Sequence, residues 1–219
     1  MAIPSANDSL RISEIFFSLQ GETGRVGLPT VFVRLTGCPL RCEYCDTTYA
    51  FSGGQNMTLA AILAEVARHD ARYVCVTGGE PLAQKNCLPL LQALCDAGYA
   101  VSLETSGALD VSGVDARVQK VVDIKTPASG EVEKNLWANL EHLAAQDEIK
   151  FVLNDAADYQ WAKQILQERQ LAQRCAVLFS PVQGHLAPRD LAEWILRDRL
   201  PVRMQVQLHK LLWGNEVGR

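Results

Sequence analysis

From residue 31 onward, short β-branched runs alternate with longer segments whose apolar residues recur three and four positions apart. That rhythm is the one expected of βα units around a parallel sheet. It predicts strands at 31–35, 73–77, 100–104, 118–124, 149–153, 176–179 and 202–207, and helices at 59–68, 88–96, 136–145, 159–170 and 189–197. Thr58 and Asp158 stand where helix N-caps belong, and Gly98 closes the second helix. Residues 110–117 carry no helical period and read as loop and turn, and 52–56, rich in glycine, read as flexible. Six or seven units are too few to close an eight-stranded barrel. The expected fold is therefore α/β, a partial TIM-like βα barrel with mostly parallel strands, with a flat doubly wound sheet as the alternative.

The 219 residues contain no linker, repeat or charge run, so a single domain over 1–219 is expected. A formal charge of -4 with no basic stripe argues against a grip on nucleic acid. No apolar run approaches the roughly 18–20 residues that span a bilayer, and the segment Met1 to Asp8 lacks the basic and apolar regions of a signal peptide. The expectation is a cytoplasmic protein that acts on a small molecule.

Polar or glycine-rich clusters follow nearly every strand at its carboxyl end. They begin with Gly37-Cys38, Gly78-Gly79-Glu80 and Thr105-Ser106-Gly107, and continue through Lys125-Thr126-Pro127, Asn154-Asp155 and Ser180-Pro181 to His209-Lys210. In parallel α/β folds ligands bind at that rim, so one site built from many loops is expected.

Three of the seven cysteines, Cys38, Cys42 and Cys45, fall within eight positions with three and then two residues between them. A short loop of this spacing can wrap three thiolates around one face of an iron–sulfur cubane and leave one iron open for chemistry. A zinc knuckle is the alternative, but zinc wants a fourth Cys or a His, and the following loop has neither. Cys75, Cys87, Cys95 and Cys175 sit in apolar surroundings and read as core.

The Cys-x₃-Cys-x₂-Cys run with Tyr44 before its last cysteine resembles the signature of the radical S-adenosylmethionine superfamily. Gly78-Gly79-Glu80-Pro81 resembles its second motif, in which glycines admit close backbone approach and the Glu80 carboxylate can accept from an ammonium. Within that superfamily the chain is similar to the 7-carboxy-7-deazaguanine synthase family through residues 14–22, Gly27-Leu28-Pro29, residues 31–35, Cys45-Asp46-Thr47 and the tail Gln207-Leu208-His209-Lys210. Two departures are Thr23, where many relatives have glycine, and a continuation beyond Lys210 to Arg219; in some relatives the C-terminal carboxylate reaches the substrate, and the sequence leaves open whether that of Arg219 does.

The resemblance implies a lyase of the queuosine route that turns 6-carboxy-5,6,7,8-tetrahydropterin into 7-carboxy-7-deazaguanine with loss of ammonia. It implies a [4Fe–4S] cluster on Cys38, Cys42 and Cys45, and Mg²⁺ at Thr47. S-adenosylmethionine would contact Tyr44, Gly79, Asp123, Ile124 and Lys125, and substrate would contact Leu19, Gln20, Gly21, Glu22, Arg34 and Thr77. A flavodoxin-like electron donor and a homodimer are implied as well. On their own chemistry, Gln20 offers a donor and an acceptor, Arg34 a fork for a carboxylate, and Glu22, if buried, an acceptor for an amino-pyrimidine edge. Arg34 could instead be an ordinary salt-bridged strand residue, Gln20-Gly21 a turn, and Asp46-Thr47 a helix cap. Alternative readings are an activating enzyme of glycyl-radical enzymes, which would bind a large protein partner, and an iron–sulfur electron carrier.

Overall fold

The computed structural model describes residues 9–218; the N-terminal segment and Arg219, for which expectations were stated above, lie outside them. Nine strands form one sheet: β1 Ser9–Leu19, β2 Pro29–Leu35, β3 Gln55–Thr58, β4 Tyr73–Gly78, β5 Ala100–Thr105, β6 Gln119–Asp123, β7 Glu148–Leu153, β8 Ala176–Pro181 and β9 Arg203–Met204. Their order is β3-β1-β2-β4-β5-β6-β7-β8-β9, and every pair from β2 to β9 is parallel. A doubly wound sheet reverses its strand order at a switch point, and the parallel run from β2 to β9 never does. The fold is an open, partial TIM-like barrel, as the sequence predicts.

The expected regions hold with three corrections. The segment 52–56 is not simply flexible: after a turn at Gly53-Gly54, Gln55–Thr58 forms edge strand β3, paired antiparallel to β1. The helix expected at 136–145 is a 3₁₀ segment, Trp137–His142. There the buried Asn139 donates to Gly107 O and Leu109 O and accepts from Val111 N, so tertiary hydrogen bonds to the neighbouring loop outweigh the helical period. The last strand shrinks from 202–207 to Arg203–Met204.

Helices α1 Leu59–Ala67, α2 Cys87–Asp96, α3 Ala156–Glu168 and α4 Pro188–Asp198 cover the outer face, and α5 Leu208–Trp213 ends the chain near the rim. Thr58 caps α1 by accepting from Ala61 N at 3.2 Å, and Gly98 follows α2 at φ +90°. Asp158, expected to cap α3, instead sits in its first turn. Asp155 is the cap, accepting from Asp158 N at 3.0 Å. The buried Asp158 carboxylate accepts from Thr126, Ala128 N and Asn154 N, tying the loop after β6 to α3.

Period-2 alternation divides the sheet's two faces. Val31, Val33, Val74, Val76, Val101 and Leu103 point outward onto α1 and α2, and Ile149, Phe151, Val177 and Phe179 onto α3 and α4. No helix follows β5. Val111, Val114 and Val118 of the loop cover the sheet in its place. The opposite parity carries Phe32, Arg34, Thr77, Glu104, Asp123 and Lys150, which face the barrel interior.

The β1–β2 connection fills the interior from below. Arg25 Nη1 donates to Ala100 O at the start of β5, and Gly24 N to Glu148 at the start of β7. Thr23 and Gln205 exchange two buried bonds, Thr23 N to Gln205 Oε1 at 2.7 Å and Gln205 Nε2 to Thr23 O at 2.9 Å, which joins this loop to the chain leaving β9. Thr23 holds φ +70°, the left-handed conformation that glycine adopts freely, so the departure at this position keeps a glycine-like backbone.

Candidate active site

A cavity of about 590 Å³ opens at the carboxyl ends of the strands, within the range of small-ligand sites. Cys38, Cys42, Tyr44, Cys45 and Thr47 from the loop after β2 line one side, and Leu19, Gln20, Gly21 and Glu22 line the floor. Arg34, Thr77, Gly79, Asp123 and Lys125 complete the set of expected residues that meet here. Ile124 does not join them, because its side chain points outward and is buried in the core under α3 and α4.

Gly78 and Gly79 set the distance between the cysteine loop and β4. An added Cβ at Gly78, with φ +152°, would lie 2.2 Å from Leu35 O, and one at Gly79 would lie 2.3 Å from Gly37 O and 2.9 Å from Cys38 Cβ. The close approach these glycines permit is therefore to the backbone that carries Cys38. The Glu80 reading needs correction. Glu80 is fully buried off the cavity, accepting from Leu82 N, Thr105 Oγ1 and both the N–H and hydroxyl of Ser106. Its carboxylate is saturated, and it locks the loop after β4 to the loop after β5. Glu80→Gln turns an acceptor into a donor facing buried N–H groups, so it should cost about 1–3 kcal/mol, read as a lower midpoint of thermal unfolding.

Arg34, Asp123 and Lys150 on the walls are each paired. Arg34 donates from Nε to Glu14 Oε1 at 2.7 Å, and Tyr49 donates to the same oxygen at 2.8 Å, so the guanidinium is both salt-bridged and part of the wall. Lys125 meets Asp123 at 3.0 Å; Lys150 meets Glu22 at 3.0 Å and Asp123 at 3.8 Å. Burial alone would raise the Glu22 pKa, but Lys150 and the amide of Gln207 hold it below the ordinary value. Gln207 Nε2 lies 3.0 Å from both Glu22 Oε1 and Asp46 Oδ2, and Lys210 reaches Asp46 at 2.9 Å. Desolvation by the surrounding wall opposes ionisation, but Lys210, Gln207 and Thr47 together hold the half-exposed Asp46 carboxyl far below its ordinary value. Thr47 precedes a 3₁₀ turn but makes no side-chain cap; its hydroxyl donates to Asp46 Oδ1 at 2.8 Å. The tail closes on the floor, with Leu208 N donating to Gly21 O at 3.0 Å and His209 packed where a Gly21 side chain would be.

A model of the radical SAM superfamily matches residues 32–128. A 7-carboxy-7-deazaguanine synthase of Chlorobaculum tepidum is 51% identical over 96% of this chain and 97% of its own length. One from Koribacter versatilis is 42% identical over 94% and 98%. The chain belongs to the 7-carboxy-7-deazaguanine synthase family. The crystal structure of QueE from Escherichia coli agrees, with a TM-score of 0.77 at 25% identity, covering 92% of this chain and 95% of that one.

Membership of this radical family implies a [4Fe–4S] cluster and S-adenosylmethionine. The thiols fit a cluster: Cys38, Cys42 and Cys45 are free, partly exposed and on one cavity wall, and Cys45 N donates to Cys42 O at 3.1 Å to curl the loop. Burial pushes the Cys42 thiol up, and Lys125 opposes that by favouring the thiolate. Among the described residues no three of His, Cys, Asp and Glu form the shell of a single ion, whereas a cluster takes each thiolate on its own iron. Of the other cysteines, Cys75, Cys87 and Cys175 are buried as expected and Cys95 partly so.

Sequence reasoning for the family missed Glu14, Glu104 and Lys150. The signal was available for two of them, since Glu104 and Lys150 are charges at the inward parity of otherwise apolar strands.

Proposed function

We propose that this chain converts 6-carboxy-5,6,7,8-tetrahydropterin to 7-carboxy-7-deazaguanine with release of ammonia, as a radical S-adenosylmethionine lyase of the queuosine route. The observation that carries the reading is the convergence on one cavity of the three cysteines with Gln20, Glu22, Arg34 and Thr77. Bound at Cys38, Cys42 and Cys45, a [4Fe–4S] cluster supplies the electron that cleaves S-adenosylmethionine and so arms it for hydrogen abstraction at carbon 6 of the pterin.

The chain's own residues bind and orient. Arg34 takes the substrate carboxylate with its terminal nitrogens, because its Nε is committed to Glu14. Gln20 is held at both amide ends, Nε2 to Glu104 at 3.2 Å and Oε1 accepting from Glu22 N at 3.2 Å, so it meets the bicycle in one orientation. Thr47 spends its hydroxyl proton on Asp46, which leaves its oxygen lone pairs for Mg²⁺; Asp46 adds the negative charge a single hydroxyl lacks. Held there, a Mg²⁺ ion would supply positive charge to neutralise the substrate carboxylate. Tyr44, Gly79, Asp123 and Lys125 contact S-adenosylmethionine, and Ile124 takes part through its backbone. Leu19 and Gly21 complete the floor beneath the pterin, and the α5 tail over Gly21 keeps water from it.

The same reading includes a flavodoxin-like donor, a homodimer and a cytoplasmic setting; among the described residues no helix is long and apolar enough to cross a membrane. An activator of glycyl-radical enzymes is not favoured, since relatives covering nearly the whole chain carry the synthase name. Anaerobic incubation of the reconstituted protein with reductant, S-adenosylmethionine, Mg²⁺ and the pterin tests the proposal. It expects 7-carboxy-7-deazaguanine, and its absence would sink the assignment.

A further inference from the structure

Arg41 is the one cation inside the run from Cys38 to Cys45, and neither the thiolates nor the cavity contacts described above account for it. Its Nη1 donates to two carbonyl oxygens of its own loop, Cys38 O at 2.7 Å and Leu40 O at 2.6 Å. The guanidinium carbon lies 4.4 Å from the centroid of the Phe51 ring, a cation–π distance. Among the described residues no carboxylate forms an ion pair with it, whereas Arg34, Lys125 and Lys150 each hold one. Glu131 binds Arg41 at its main-chain N–H. Within the same turn the Leu40 N–H donates to the Cys38 sulfur at 3.4 Å. Arg41 grips the carbonyls on either side of that bond, so a positive charge and an N–H···S contact are held at one cysteine.

We infer that Arg41 is a positioning residue that raises the reduction potential of the cluster, by fixing the Cys38-Pro39-Leu40 turn and by setting a positive charge behind it. The inference rests on the cluster assignment and not on the pterin. Potentials of iron–sulfur clusters follow the local charge and the hydrogen bonds to sulfur, and residues behind the ligands tune both. Uptake of one electron makes the cluster more negative by one charge, so a fixed cation beside it favours the reduced form. Arg41 is exposed on its outer side, and solvent screens part of its field. The expected effect is on the order of tenfold in the ratio of reduced to oxidised cluster, about 59 mV for a one-electron couple. The turn thereby makes the cluster easier to load with an electron. A lysine would carry the charge but could not lie flat on Phe51 while bonding both carbonyls.

The test is an anaerobic titration of the reconstituted protein with dithionite and mediator dyes, without substrate or S-adenosylmethionine, in which electron paramagnetic resonance reads the reduced cluster. Arg41→Gln keeps an N–H donor and removes the charge. It should retain iron and sulfide, and at the parent's midpoint its ratio of reduced to oxidised cluster should be about tenfold lower. Arg41→Lys keeps the charge without the flat stacking and should fall between the two. An Arg41→Gln midpoint equal to the parent's or above it would overturn the inference, as would Arg41→Lys behaving like Arg41→Gln. A role in loop folding alone would lower the cluster content and leave the midpoint of the remaining clusters unmoved, which also counts against it. Should Arg41→Gln hold no cluster, Phe51→Leu serves: it releases the guanidinium towards water and should lower the midpoint by less, and no shift would overturn the inference. A parent that binds no cluster would overturn the cluster assignment and this inference with it. An intact cluster that never turns over the pterin would overturn the proposed function alone, so the failures are distinguishable.

Discussion

Cys42→Ala, reconstituted anaerobically with iron and sulfide, is expected to lose both the brown chromophore of the cluster and all turnover. The loop offers three thiolates and the described residues place no fourth cysteine on the cavity wall, so no substitute ligand is at hand. Changes beside a metal site typically cost roughly 10–100-fold, and loss of a ligand should exceed that. The fold should survive, because Cys42 is partly exposed and lies outside both apolar cores. Iron and sulfide analysis with the visible spectrum checks the result. A variant that kept its chromophore or its activity would contradict the cluster assignment.

Lys150→Met should be the most destabilising single change at the site. Lys150 and Glu22 are 12% and 14% exposed at the floor of the barrel, and removing one partner leaves the other charge stranded. Breaking a buried pair in this way costs about 3–5 kcal/mol. At about 2–4 °C per kcal/mol for a chain of this size, the unfolding midpoint falls by roughly 6–20 °C. Asp123 suffers less, since Lys125 remains 3.0 Å from it. Adding Glu22→Gln to Lys150→Met should restore most of the lost stability, while turnover stays low because the floor that orients the pterin is altered. If the single and double variants melt together, the ion pair does not hold the floor.

Much of the fold was legible because a parallel sheet covered by helices writes itself as β-branched runs separated by helical periods. The outward residues of β2, β4, β7 and β8 are those runs. The exceptions have local causes. Strand β3 is four residues of Gln-Asn-Met-Thr on an edge, with little hydrophobic pattern to show, and it exists because β1 offers it a partner. The 3₁₀ segment Trp137–His142 has apolar residues at helical spacing, but Asn139 binds another loop.

The site divides in the same way. The cysteines, the Gly78-Gly79 pair and the Gln20-Gly21-Glu22 run are contiguous in sequence and could be read there. Which carboxylate is committed and which is available could not, because Lys150 is 128 positions from Glu22 and Gln207 is 185. Only the closed fold shows that Glu22 is paired with Lys150 and that Glu80 is structural.

On the proposed function, this cavity holds carbon 6 of the pterin where activated S-adenosylmethionine can take its hydrogen. The most direct measurement is turnover of substrate deuterated at carbon 6, followed by mass spectrometry of both products. Deuterium in 5′-deoxyadenosine, formed together with 7-carboxy-7-deazaguanine, is the expected result. Deoxyadenosine formed without deuterium, or without the deazapurine, would contradict it.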